Sequence, residues 1–367
     1  MISQKRSQVH SQFNWMYVLI VGGFFILLFV TMSMRQADSA QQRISATALE
    51  GISNIFEAAR TGTSMSATVS IPDLEIEFTC RQGILSEVFG DRLYSEYRVG
   101  GFSRRIDELP TFVPGILEGD NLITWTQSWD MPMPIMNFLY ITNEQTRFFF
   151  IENEEFPEIY WRIEDSFSSN MQSEFLQSIA EERFADFNDD FSIVVIFSDD
   201  PRPNEIDDIV ETFSGHVRVV QVSPDDDFFG KVKYYDEFGD NAGEVNYAGR
   251  ASLYGAIISP DADYYECSMT KALRRMARIA CVHYRKHVEL QDYYSDNVNC
   301  RRVYNNAVAS FDDFFGDDFC NTNADGALEL GDFSLDFAED FDAFKRFHSN
   351  LMSAYDGARR GSCARPY

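Results

Sequence analysis

Residues 15–34 read WMYVLIVGGFFILLFVTMSM, and no Asp, Glu, Lys or Arg occurs between positions 9 and 34. A helix of this length spans about 30 Å, the thickness of a bilayer's hydrocarbon core. Trp15 and Tyr17 stand at its N-terminal edge, where amphipathic rings favour the membrane interface. The stretch therefore predicts one transmembrane helix. A cleaved signal peptide is the rival reading. Its apolar core is shorter, about 7–15 residues, and ends at a small-x-small site. Ala37-Asp38-Ser39-Ala40 is a poor version of that site, so an uncleaved anchor is favoured. Lys5 and Arg6 precede the span, and Arg35 and Arg43 follow it with Asp38 between them. This slight bias places the N-terminus in the cytoplasm and the C-terminal part outside.

Outward from the span, the 367-residue chain leaves over 300 residues for a body. Hydrophobic residues make up 45% and aromatics 15%, with 33 Phe, so that body can bury a core and is not disordered. The net charge is −27, from 33 Asp and 25 Glu against 25 Arg and only 6 Lys. Such a surface repels itself over the ~30 Å Debye length of 0.01 M salt and is screened at about 3 Å in molar salt. The surplus of Asp over Glu and of Arg over Lys resembles the proteins of halophilic archaea. Direct nucleic-acid binding is disfavoured, because phosphate backbones select basic surfaces.

The expected fold is α+β. A tail (1–14) and the span (15–34) lead into a stalk helix (35–62) with an apolar stripe at Ile44, Leu49, Ile52, Ile55 and Phe56. A β-rich domain (63–190) opens with alternation at 65–71 and 74–80, read as a hairpin with one wet face. Further strands are expected at 122–129, 135–142 and 147–151, with Met131-Pro132-Met133-Pro134 as a connector. An α/β segment (191–262) holds a βαβ pattern: SIVVIFS at 192–198, a helix at 203–213 and a strand at 217–222. The loop Ser198-Asp199-Asp200-Pro201 lies at a strand's C-terminal end, where open α/β sheets bind ligands. In so acidic a chain its Asp pair reads first as solvated surface. A helical region (263–367) is expected to contain helices at 267–290 and 337–355.

One stretch has metal-ligand spacing. Asn321-Thr322-Asn323-Ala324-Asp325-Gly326-Ala327-Leu328-Glu329-Leu330-Gly331-Asp332 resembles the calcium loop of EF-hands and dockerin modules. The resemblance implies oxygen ligands from Asn321, Asn323, Asp325, the Ala327 carbonyl, Glu329 and Asp332, with Gly326 at the sharp turn. Asn321 stands where such loops usually carry Asp, which removes a charge. The implied cofactor is calcium.

The helix expected at 267–290 carries His283 and His287 four apart, like a metal pair. They share a face with Met269, Leu273, Met276, Ala280 and Tyr284, which marks them as core histidines. Its other face bears Lys271, Arg274, Arg275, Arg278, Arg285 and Lys286. Two readings stand for this arc: an internal ion-pair face against acidic segments 312–318 or 336–342, or a docking face for an acidic partner or lipid headgroups. Cys267 and Cys281 on one helix lie about 21 Å apart and cannot bond each other. Their partners must come from Cys80, Cys300, Cys320 and Cys363, and Cys300–Cys320 is a possible closure before the calcium-like loop. No CxxC, GxSxG, Walker or Rossmann pattern occurs.

Two wider resemblances bear on function. Lys5-Arg6-Ser7-Gln8 before an apolar helix resembles the class III, prepilin-type signal segment of archaea, which implies cleavage before Gln8 and assembly into a filament. Phe13-Asn14-Trp15, LITWTQSW at 122–129 and ASLYGAIIS at 251–259 before Tyr265-Glu266-Cys267 resemble uncharacterised single-pass membrane proteins of small-genome archaea. These readings lead to a membrane-anchored surface or envelope component that works by binding or as structure. A pilin-like subunit and a membrane-tethered hydrolase are the alternatives.

Overall fold

The computed structural model describes residues 4–62, 65–71, 75–83, 92–99, 101–106, 109–151, 172–176, 192–198, 201, 205–207, 209, 216–236, 238–316, 319–322, 328–330 and 337–364. It opens with α1 (Gln4–Thr61), 58 residues of unbroken helix. Met16–Gln36 within it is long and apolar enough to cross a membrane, and none of it is buried against the rest of the chain. Further along, the same helix becomes amphipathic. Ser45, Ala48, Ile52, Phe56 and Ala59 are buried, and their spacing of three or four puts them on one face. Ile52 and Phe56 of the expected stripe hold its centre, and Leu49 and Ile55 flank it. The side chain of Ile44 lies outside the described residues. Ser and Ala complete the stripe because small side chains let the helix lie close to the strands beneath.

Those strands form two four-stranded sheets. One has the order β1 (Ser66–Ser70), β7 (Asn121–Asp130), β8 (Pro134–Asn143), β5 (Thr111–Phe112). The other runs β4 (Phe102–Ile106), β3 (Arg92–Val99), β2 (Ile76–Gly83), β6 (Ile116–Leu117). All their pairings are antiparallel except that of β5 with β8. The expected hairpin at 65–80 does not form. β1 pairs with β7, Ser66 opposite Trp125, while β2 pairs with β3 in the other sheet. Alternation reports which face of a strand is wet, and carries no information about the partner. Of the expected connector, Met131-Pro132-Met133 does join β7 to β8, through a cis Met131–Pro132 bond, and Pro134 opens β8.

The third sheet has six strands in the order β10 (Gln172–Leu176), β9 (Thr146–Ile151), β11 (Ser192–Phe197), β12 (His216–Pro224), β13 (Phe229–Tyr235), β14 (Asn241–Ala248). Its first four strands are parallel, so the crossover expected between 192–198 and 217–222 is present. Residues 205–207 and 209 between those strands are helical, and Ile206 and Ile209 pack on Phe149, Val195 and Val219. Strands from both sides of position 190 thus share one sheet. β13 and β14 close it as an antiparallel pair.

Helices then cover the sheets: α2 (Gly249–Ile258), α3 (Ala262–Tyr293), α4 (Val298–Phe315) and α5 (Phe341–Arg360). α3 and α5 match the helices expected near 267–290 and 337–355, shifted by a few residues at each end. Nine of the ten residues of α2 are buried, and a helix apolar on all sides belongs inside a core. Its ends are capped by its own Ser252 and by neighbouring side chains. Ser252 Oγ accepts from the Ala248 amide at 2.7 Å. At the other end the Tyr234 hydroxyl donates to Ala256 O at 2.7 Å, and the Arg218 guanidinium donates to Ile257 O at 3.0 Å and Ser259 O at 2.6 Å. These are carbonyls that the helix itself leaves unpaired. Gly255 lies so close to Phe112 that a Cβ there would sit 2.7 Å from the ring. Phe is dense between α4 and α5, where Phe311, Phe314 and Phe315 meet Phe344 and Phe347 edge-to-face, tilted and stacked.

All six cysteines are paired: Cys80–Cys267, Cys281–Cys320 and Cys300–Cys363. Cys267 and Cys281 bond elsewhere, as the helix geometry requires. The suggested Cys300–Cys320 closure is not made, because Cys300 at the start of α4 faces the turn after α5. There the Tyr304 hydroxyl also holds Ala364 O at 2.5 Å.

Candidate functional site

The region with the clearest chemistry is the joint where α1 meets the body. Helix α1 ends at Thr61, and its last carbonyls face the sheet instead of water. The Asn137 side-chain amide donates to Gly62 O at 3.1 Å and Ala59 O at 3.4 Å. The Thr126 hydroxyl donates to Gly62 O at 2.8 Å and accepts from the Met65 amide at 3.1 Å. Phe56 lies against Tyr97, with centroids 5.4 Å apart, and the Tyr97 hydroxyl donates to Leu49 O at 3.3 Å. Burial raises the Tyr97 pKa, so the hydroxyl stays a donor. The exposed apolar segment is thereby joined by continuous helix to a hydrogen-bonded, packed seat. Asn137 and Thr126 escape sequence reading, because a polar residue in a strand looks like a wet-face residue until its partner is known.

The segments at 122–129 and 251–259 converge in the core. Trp125 stacks on Tyr140 at 4.5 Å, and Tyr140 meets Tyr254 edge-on. The Trp129 indole donates to Ala248 O at 2.8 Å, and the Tyr140 hydroxyl to Ala251 O at 2.7 Å. Burial pushes the Tyr140 and Tyr234 phenols far above their usual range, and it lowers the Arg218 guanidinium to about 10. These groups serve as fixed donors to backbone, which is a structural role.

Of the candidate calcium ligands, Asn321 and Glu329 lie opposite each other in a two-stranded hairpin, β15 (Cys320–Thr322) with β16 (Leu328–Leu330). Asn323, Asp325, Ala327 and Asp332 lie outside the described residues. The loop is therefore entered from a strand, where an EF-hand is entered from a helix. Among the described residues no group of three or more His, Cys, Asp or Glu could hold a metal ion.

His287 is buried in an aromatic box of Tyr304, Phe311 and Tyr355, with Nε2 3.4 Å from the Tyr355 hydroxyl. Desolvation first, then His283 and Lys286, push its pKa down to about 4. Burial, with a smaller contribution from Lys286, also lowers His283. Both occupy the core face that the sequence assigns them.

The basic arc divides. Lys271 is buried, its ammonium 2.7 Å from Ser95 Oγ and 3.4 Å from Ile106 O. It shares the wheel position of the arginines, but the sheet carrying β2 and β3 covers this first half of α3, where Cys267 is bonded to Cys80. Lys271 is thus not part of a docking face. Arg274, Arg275, Arg278 and Lys286 are exposed and Arg285 is half-buried. Ser198 is buried, and Asp199 and Asp200 lie outside the described residues. No protein-family model, no curated protein and no solved structure matches the chain.

Proposed function

We propose that the chain is a membrane-anchored surface component, held by α1 with its acidic body on the outer side of the membrane in a saline milieu, and that it works by binding or as structure. The observation that carries this is the two-part use of α1. Met16–Gln36 is apolar and none of it is buried, while one face of the stretch from Ser45 to Ala59 is built into the core. Leaving the first segment in water would expose Leu19, Phe24, Leu27 and Phe29 at 65–70%, each at a cost of about 1.5–3 kcal/mol relative to burial. Pairing of all six cysteines supports an oxidising compartment for the body. Protease added to intact cells tests the orientation: digestion of the body supports it, and full protection until lysis rejects it.

A filament subunit is the second reading, favoured by the absence of any break in the helix from Gln4 to Thr61. One rigid rod seated on a sheet can pack by its bare half against neighbouring rods. N-terminal sequencing of the mature chain separates the two readings, since a start at Gln8 supports the filament. The calcium reading is tested by thermal unfolding with and without calcium. If Asp325→Ala with Asp332→Ala leaves the response unchanged, the loop is not the site.

A further inference from the structure

We propose that the basic face of α3 docks a second copy of this chain, receiving the tip of the β13–β14 hairpin. The acceptor is a line of exposed side chains, Arg275, Arg278, Val282 and Lys286, lying within an arc of about 80° and over about 16 Å of helix. No acidic residue occurs between Glu266 and Glu289. Among the described residues, no ion pair joins these three cations to a carboxylate. In a chain of net charge −27, a helix stretch of 22 residues that carries cations and no carboxylate is unusual. Val282, 52% exposed at its centre, adds an apolar contact that a solvated charge stripe would lack.

The donor is equally specific. Phe238 is 73% exposed at the hairpin tip, yet its backbone is fixed. Asp236 Oδ1 accepts from the Phe238 amide at 3.0 Å and the Asp240 amide at 2.9 Å. Gly239, with φ of +75°, lies over the buried Ile206, where a Cβ would sit 3.6 Å from that side chain. Exposed Asp207 and Asp240 flank the knob. A large exposed ring on a hydrogen-bonded turn, beside carboxylates, matches an apolar spot held between cations, and the turn loses little backbone entropy on docking. Arginine and lysine beside the ring add cation–π attraction. Because the two surfaces differ, the contact is head-to-tail.

The charge pattern also fixes the partner. A basic protein matches only the tip and an acidic ligand only the helix face, whereas another copy supplies both halves. The proposal rests on the anchored reading only in that confinement to a membrane concentrates the copies. Salt plays two parts. In molar salt, a Debye length of about 3 Å removes the long-range repulsion between bodies while contact pairs survive.

The test is sedimentation of the full-length chain in uncharged detergent over a salt series. Arg278→Glu with Lys286→Glu is expected to weaken association on the order of tenfold, and Asp207→Lys with Asp240→Lys likewise. Combining all four substitutions is expected to restore it, and Phe238→Ala alone is expected to weaken it. A chain that stays monomeric at all salt concentrations, or association indifferent to both reversals, overturns the proposal and leaves the anchor untouched. If the reversal of Arg278 and Lys286 changes only binding to anionic over zwitterionic vesicles, the face belongs to lipid headgroups and the proposal is wrong.

Discussion

The side-chain amide of Asn137 reaches the Gly62 carbonyl at 3.1 Å, tying the end of a 58-residue helix to the second strand of a hairpin. The apolar segment is continuous with this contact, its Thr126 companion and the packed face at Ile52 and Phe56. Asn137→Ala leaves two carbonyls at a buried helix end with fewer donors, which costs about 1–3 kcal/mol. The expected result is a lower denaturation midpoint, together with faster trypsin cleavage at the exposed Arg60 beside the joint. An unchanged cleavage rate would mean that the helix end is held by packing alone.

Glycine replacements separate packing from propensity. Gly255→Ala pushes a methyl into the Phe112 ring, which cannot withdraw because Tyr140 stacks beyond it at 5.7 Å. A loss of about 1–3 kcal/mol is expected. Gly51 lies in α1 with nothing within 4 Å of a built Cβ, so Gly51→Ala is expected to add up to about 1 kcal/mol from helix propensity. Thermal unfolding of the two variants checks the opposite signs.

The sequence was most legible where one physical constraint dominates. The uncharged run fixed the apolar helix, and the continuous apolar strand at 192–198 predicted its buried parallel neighbours. The heavy chemistry of α2 was invisible, because Gly-Arg-Ala-Ser-Leu-Tyr-Gly-Ala-Ile-Ile has no amphipathic period. A helix buried on all sides has no wet face to reveal it. Likewise Lys271 looks like its arginine neighbours on a wheel, and only the sheet that crosses half of α3 distinguishes it. Strand partners were the other gap: the alternation at 65–80 marked two real strands but joined the wrong pair.

Acid sensitivity follows from His287. Its pKa falls from 6.5 to about 4 in the folded chain, so between those values the unfolded chain binds the extra proton. Stability is therefore complete above about pH 6.5 and is lost as pH falls toward 4, by an amount on the order of 3 kcal/mol for this group. His283 and His348, both lowered chiefly by burial, act in the same direction. His287→Phe is expected to flatten the slope of stability against pH in that window. A slope unaffected by the substitution would place the acid response elsewhere.

The central claim is that Met16–Gln36 resides in hydrocarbon while the rest of the chain stays in brine. Flotation of the full-length chain with lipid vesicles in a density gradient tests it most directly. Recovery with the lipid at low and molar salt alike is the predicted result, since burial of apolar surface is not screened. Recovery in the dense aqueous fraction, or flotation abolished by salt, would contradict the anchor and the function built on it.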